Sequence, residues 1–133
     1  MDMMTEMMES MPKGMSGMDM SMMQECIDAC SACAMAATMC ADADMGDDMG
    51  KCASMCNNMA DVATTMMRMM MRPMGYDMES MRAMMTACIA MGEACANECR
   101  MHADMHDHCR ICAQACDAMV MACRNAMSSM SMA

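Results

Sequence analysis

The sequence predicts an all-α fold, an antiparallel up-down-up-down four-helix bundle, on three observations. Cysteines recur at steps of three, four and seven residues in four separate segments, and residues so spaced share one face of an α-helix. Short turn-forming stretches separate the four segments. No segment shows the period-two alternation or β-branched enrichment of a strand.

The elements follow in chain order. In Met1 to Met11, residues Met4, Met7, Met8 and Met11 share a helical face, and Pro12 and Gly14 end the segment. It reads as a short helix or a flexible methionine-rich arm, followed by a Gly/Ser/Met linker to Met20. Residues 1–20 are therefore expected to form an arm and residues 21–133 the bundle. The first bundle helix is expected from Ser21, with Gln24 as a capping-box partner, to about Ala43. Asp44 to Asp48, around Gly46, reads as a turn. The second helix runs from about Met49 to Arg72. Arg68 and Arg72 suit its carbonyl end, and Pro73 and Gly75 stop it. Asp77 is a good N-cap for the third helix, which continues to about Met101. The fourth starts between Asp104 and Asp107 and continues to about Ser128. Three short connections between helices of similar length favour antiparallel neighbours.

Each inward stripe can be written out. The first helix offers Met22, Cys26, Cys30, Cys33, Ala37 and Cys40. The second offers Cys52, Cys56, Met59, Ala63, Met66 and Met70. The third offers Met81, Met84, Cys88, Cys95, Cys99 and His102. The fourth offers Cys109, Cys112, Cys116, Met119, Cys123 and Met127. The expected core is a column of sulfur.

Composition bounds the function. A chain of 133 residues fits one domain. Its net charge of −10 makes nucleic acid and anionic membrane poor partners, and its single aromatic residue, Tyr76, offers no platform for stacking bases. The chain has 35 methionines and no leucine. Met replaces Leu at modest cost, usually below about 1.5 kcal/mol, and both form helices well. Leucine-like positions are thus read as filled by Met, through natural enrichment in thioether or deliberate replacement. The N-terminal ten residues lack the basic region and apolar run of a secretory signal. No apolar stretch approaching a membrane span is evident. The expected location is the cytoplasm, where thiols stay reduced, and the odd number of cysteines argues against a full disulfide framework.

Core packing accounts for two or three buried cysteines. It does not account for thirteen, because packing has no reason to prefer Cys to Ala or Val four times on one helix. Structural zinc sites draw four ligands together, commonly from loops with short paired spacings, and no such knuckle is present. Soft thiolates and thioethers select Cu(I), and a bridging thiolate lets a tube hold many such ions. The C-x-x-C pairs Cys30/Cys33 and Cys109/Cys112 are weak redox signals without a strand beside them. No phosphate loop or positioned nucleophile marks an enzyme. The rival readings are a thiol redox protein or metal sensor, and a bundle of the same kind with its leucines engineered to methionine.

His102, Met105, His106 and Cys109 form a second cluster. On a continuous helix they would share a face leading into the thiol stripe, beside Met39, Cys40, Met49, Cys52, Met55 and Cys99. That end is expected to be a mouth of imidazole, thioether and thiol. The alternative is that these histidines, with His108, lie in a solvated turn.

These residues carry a resemblance. The C-x3-C-x2-C-x6-C run of the first helix, the Gly-Tyr-Asp before the third, and the stretch from Ala94 to Cys116 with its His-rich turn and C-x2-C-x3-C resemble the bacterial copper storage proteins. The match extends from about Gln24 onward. It implies reduced storage or buffering of many Cu(I) ions in a cysteine-lined bundle without catalysis, and often a homotetramer. It implies as ligands Cys26, Cys30, Cys33, Cys40, Cys52, Cys56, Cys88, Cys95, Cys99, Cys109, Cys112, Cys116 and Cys123, with the His/Met end as the way in. The donor and acceptor of copper are not implied. The missing leader is similar to the cytosolic branch. The methionine-rich apolar set and the arm depart from the family pattern.

Overall fold

The computed structural model describes residues 3–10 and 19–130. Five α-helices lie among them: α1 (Met3–Glu9), α2 (Met20–Gly46), α3 (Gly50–Met70), α4 (Met78–Arg100) and α5 (Asp107–Ser128). The described residues contain no strand. Helix α2 packs on α3 and α5, and α4 packs on the same two, which closes a four-helix ring. The expected ends of the first segment, Met11, Pro12 and Gly14, and most of the linker lie outside the described residues.

Local chemistry sets the helix boundaries. Asp19 caps α2, its Oδ1 accepting from the Ser21 and Met22 amides at 2.9 and 3.0 Å. The capping box expected at Ser21 does not form. Gln24 instead donates from Nε2 to Thr5 Oγ1 at 2.8 Å, which ties α1 to α2 while Met8 is buried. Asp77 caps α4 as expected, accepting from the Ser80 amide at 3.0 Å. Helix α3 ends at Met70, and Pro73 then opens a single 3-10 turn. Tyr76, beyond that turn, donates its hydroxyl to the Met70 carbonyl and contacts Met23 Sδ at 2.7 Å. This pins the α3–α4 connection over that end of the bundle.

Helix α2 runs three residues past its expected end, so Asp44 lies inside it. The reversal falls instead at residues 47–49, where Asp48 takes a φ of 56°. A short polar side chain tolerates that left-handed conformation. The Asp44 carbonyl accepts from the Asp47 and Met49 amides, holding the turn tight. Helix α2 also corrects the membrane expectation, being long and apolar enough by length and composition to cross a bilayer. Here its cysteine face is buried against the other helices.

The α3 stripe is buried as written. Three methionines elsewhere are not. Met22 is 37 % exposed and its neighbour Met23 is buried; Met85 is buried in place of Met84; Ala126 and Met130 are buried where Met127 was expected. Gly92 has no room for a side chain, because a Cβ there would stand 2.6 Å from Met119 Cε and 2.6 Å from Val120 Cγ2. It sets the close approach of α4 to α5.

Candidate metal centre

All thirteen cysteines are buried and unpaired by disulfide. Their sulfurs form a column. At the end nearer Tyr76, Cys26 and Cys123 lie 3.1 Å apart, with Cys30 within the same group. Cys33 and Cys116 follow at 3.7 Å. Next, Cys56 Sγ lies 3.9 Å from Cys95, 3.7 Å from Cys99 and 3.9 Å from Cys112. Cys52 is 3.9 Å from Cys99, and Cys40 is 3.9 Å from Cys109. Two sulfurs bound to one ion at about 2.3 Å each, at a trigonal angle, lie about 4 Å apart. The column therefore presents adjoining pockets of the right size, and each sulfur can be shared between two of them.

A thiol-only interior distributes its protons unevenly. A thiolate is stabilised by neighbouring S–H donors, and its neighbours then resist ionising. Cys26 is lowered by donation from Cys123 and Cys30, whereas Cys30 is raised by Cys123 and Cys26. Cys99 is lowered by Cys112 and Cys40, and Cys95 chiefly by Cys112. Cys112 is raised by Cys116, Cys40 and Cys56. Each cluster thus holds a thiolate-prone sulfur among sulfurs that keep their protons. That spreads thiolate-prone sulfurs along the column and does not single out one reactive nucleophile. Cys109 illustrates the point. It sits in the first turn of α5, a position that ordinarily activates a thiol, but burial and then the charge of Cys40 push it up to about 12.

The opposite end of the column is finished by Asp44 and His108. Asp44 is fully buried. Its Oδ1 lies 3.9 Å from Cys40 Sγ and 3.7 Å from Cys109 Sγ, while Oδ2 has no hydrogen-bond partner. Burial, above all, raises its carboxyl. His108 Nδ1 lies 3.3 Å from Cys40 Sγ, 3.5 Å from Cys109 Sγ and 3.6 Å from Asp44 Oδ1. Its Nε2 reaches Asp47 Oδ2 at 3.0 Å. The Cys40 contact, followed by Asp47, raises the imidazole. At 27 % exposed, His108 connects water to sulfur. Cys40, Asp44, His108 and Cys109 together form a compact potential metal cage.

A family model described as copper storage protein matches residues 18–128. The chain belongs to the copper storage protein family. Solved structures agree. The chain is 36 % identical to the copper storage protein Ccsp from Streptomyces lividans loaded with 10 copper equivalents, at a TM-score of 0.91, over 96 % of this chain and 100 % of that one. A second structure, of five coppers loaded to the cytosolic storage protein of the same organism, is 39 % identical at a TM-score of 0.77, over 81 % and 93 % of the two chains. A histidine-to-alanine variant of Ccsp matches at 38 % identity and a TM-score of 0.81, over 86 % and 99 %. Among curated proteins no match was found.

Residues 101–106 form a turn and not a helix, so His102, Met105 and His106 do not share a helical face. His102 Nε2 is held by Glu98 at 3.0 Å. Met105 is 81 % exposed. His106 faces Asp47, Nδ1 to Oδ2 at 3.5 Å, and stacks obliquely on His108 with ring centroids 5.2 Å apart. The histidine in contact with the cysteines is His108, which the sequence points to only as part of a solvated turn. Its spacing carried a signal, since His108 precedes Cys112 by four residues. Asp44 likewise follows Cys40 by four and continues the α2 stripe.

Proposed function

We propose that the chain stores or buffers Cu(I) along the sulfur column, with the thirteen cysteines as its ligands and no catalytic step. The observation that supports this best is the burial of every thiol within sharing distance of another. A Cu(I) ion carries one positive charge and a thiolate one negative, so a loaded column is close to neutral in a medium that penalises buried charge. A cytoplasmic location fits both the reduced thiols and the solved cytosolic relative. We read residues 1–20 as an arm and residues 21–133 as the storage bundle, and a homotetramer as its assembly; light scattering of the reduced protein tests the latter.

Titration of the reduced protein with Cu(I) against a competing chelator should saturate on the order of a dozen ions, about one per cysteine. Saturation at one or two would overturn the storage reading in favour of a sensor.

We further infer that copper passes through the histidine end, with His108 and Asp44 handing it to Cys40 and Cys109. His106 and Asp47 sit on the solvent side of that cage. His102 and Met105, expected at the mouth from the sequence, serve at most as outer contacts. His108→Ala should slow both uptake and removal of Cu(I) by a chelator several-fold while leaving total capacity nearly unchanged. Unchanged exchange rates would dismiss His108 from this role, and a collapse in capacity would make it part of the store.

A further inference from the structure

The column does not stop at its last cysteine. At the end remote from the histidines, Met119 is fully buried. Its Sδ lies 3.5 Å from Cys88 Sγ and 3.6 Å from Cys123 Sγ. We propose that Met119 is a copper ligand, its thioether completing with the thiolates of Cys88 and Cys123 a three-sulfur Cu(I) site that ends the column. This rests on the storage reading and adds to it a site that contains a neutral donor.

Three features support the assignment. The first is geometry. Met119 places one sulfur against two cysteines from different helices, Cys88 of α4 and Cys123 of α5. Met119 Sδ lies about half an ångström inside the roughly 4 Å separation expected around one trigonal ion from each of the two cysteine sulfurs. The second is the room made for the side chain. Gly92, one turn after Cys88, leaves open the space in which the Met119 methyl lies, and any Cβ there would collide with it. The third is charge. This end is lined by Met23, Met66, Met70 and Met85, all fully buried, and the described residues place no buried carboxylate or imidazole beside them. Cys26 and Cys30 already stand beside Cys123, so a further thiolate at position 119 would add charge to a thiol group that no cationic side chain balances. A thioether raises the coordination number without adding charge or releasing a proton, and thioether sulfur is among the soft donors that Cu(I) prefers. Binding here exchanges two S–H bonds for two Cu–S bonds, with the protons leaving to water, and adds one dative Cu–S bond.

The bland competitor is packing, in which Met119 fills a leucine-shaped gap and the S–H groups of Cys88 and Cys123 point at its sulfur. The two accounts separate with Met119→Leu, which keeps volume and apolarity. Met121→Leu, at a methionine 66 % exposed on the same helix, is the control. Chelator-competition titrations of the three reduced proteins should give equal capacity for the parent and the Met121 variant. The Met119 variant should lose about one ion, or hold one ion at least tenfold more weakly. In parallel, methionine methyl groups labelled with 13C are followed during Cu(I) addition, the Met119 signal being the one absent from the Met119→Leu spectrum. That signal should shift on loading while that of Met121 stays. A Met119→Leu protein with the parent's capacity and affinity overturns the proposal. So does a Met119 methyl that stays in place in the fully loaded parent, which decides the matter even if the variant folds poorly. If the parent itself takes only one or two ions, the storage reading fails separately, and the methyl signal still reports whether Met119 is bound to them.

Discussion

Gly92 is the residue on which the α4–α5 contact depends, and two effects of opposite sign meet there. Replacing a mid-helix glycine by alanine ordinarily stabilises by about 1 kcal/mol, because glycine loses more backbone freedom. The added Cβ would meet Met119 Cε and Val120 Cγ2, each at 2.6 Å. The methionine tip can swing aside, but the β-branched valine is stiff at χ1. Overpacking of this kind costs about 1–3 kcal/mol. Gly92→Ala should therefore lower stability by up to about 2 kcal/mol, read as a fall in the urea midpoint of the reduced metal-free protein. A rise in the midpoint would mean that the helices separate freely at this level. The sequence indicates a glycine in a helical run, which usually signals weakness. Only the packed neighbour shows it to be a requirement. Buried methionine was similarly hard to read. With Met at both 22 and 23, and at both 84 and 85, apolarity does not say which one faces inward. Cysteine was unambiguous because it occurs at no exposed position.

At the scale of elements, the caps decide where helices begin, and two aspartates carry them. Asp77 Oδ2 accepts from the Ser80 amide and the Ser80 hydroxyl at 3.0 and 2.5 Å, and these bonds hold its carboxyl below the usual 3.8. A depressed carboxyl contributes stability that is present above the unfolded pKa and lost as pH falls through the folded one. Asp77→Ala should thus lower the thermal midpoint at pH 7, with the difference from the parent shrinking toward pH 3. A difference that persists at low pH would assign the effect to the Ala backbone and not to the cap. Asp77 was legible because it directly precedes an apolar repeat. Asp19 was not, because the serine two residues later offered an equally plausible start. The α2–α3 turn lies later than its composition suggests, for a related reason. Asp44, Gly46, Asp47 and Asp48 have loop-like composition, and composition does not reveal that the helical stripe continues through Asp44. That one displaced boundary brings Asp44 to Cys40 and Cys109, and α5, starting at Asp107 within its expected range, places His108 on the same two sulfurs, contacts that His102, Met105 and His106 were expected to make.

The whole molecule is a charge-balance problem, and pH is the variable that exposes it. The chain carries a net charge of −10 outside its thiols. Thirteen buried thiolates could not coexist without cations, since each unpaired buried charge carries a large desolvation cost. The metal-free core must therefore keep most of its protons, consistent with the raised Cys30, Cys52 and Cys112. With methionine and neutral cysteine as its apolar interior, that core should be folded without metal. Far-ultraviolet circular dichroism of the reduced protein should be strongly helical before any copper is added. Loading must then expel protons, because only the thiolate binds the ion. The first ions should meet the thiolate-prone Cys26, Cys40, Cys95 and Cys99 and release few protons. Later ions must deprotonate their resistant neighbours and should release about one proton each. Proton release in an unbuffered titration should accordingly rise with copper already bound. Apparent affinity should fall as pH falls, by about tenfold per pH unit for an ion that displaces one proton, and more gently for the earliest ions. Uniform release from the first ion to the last would show that the thiols share their protons evenly, and that the unequal hydrogen bonding along the column does not set the order of filling.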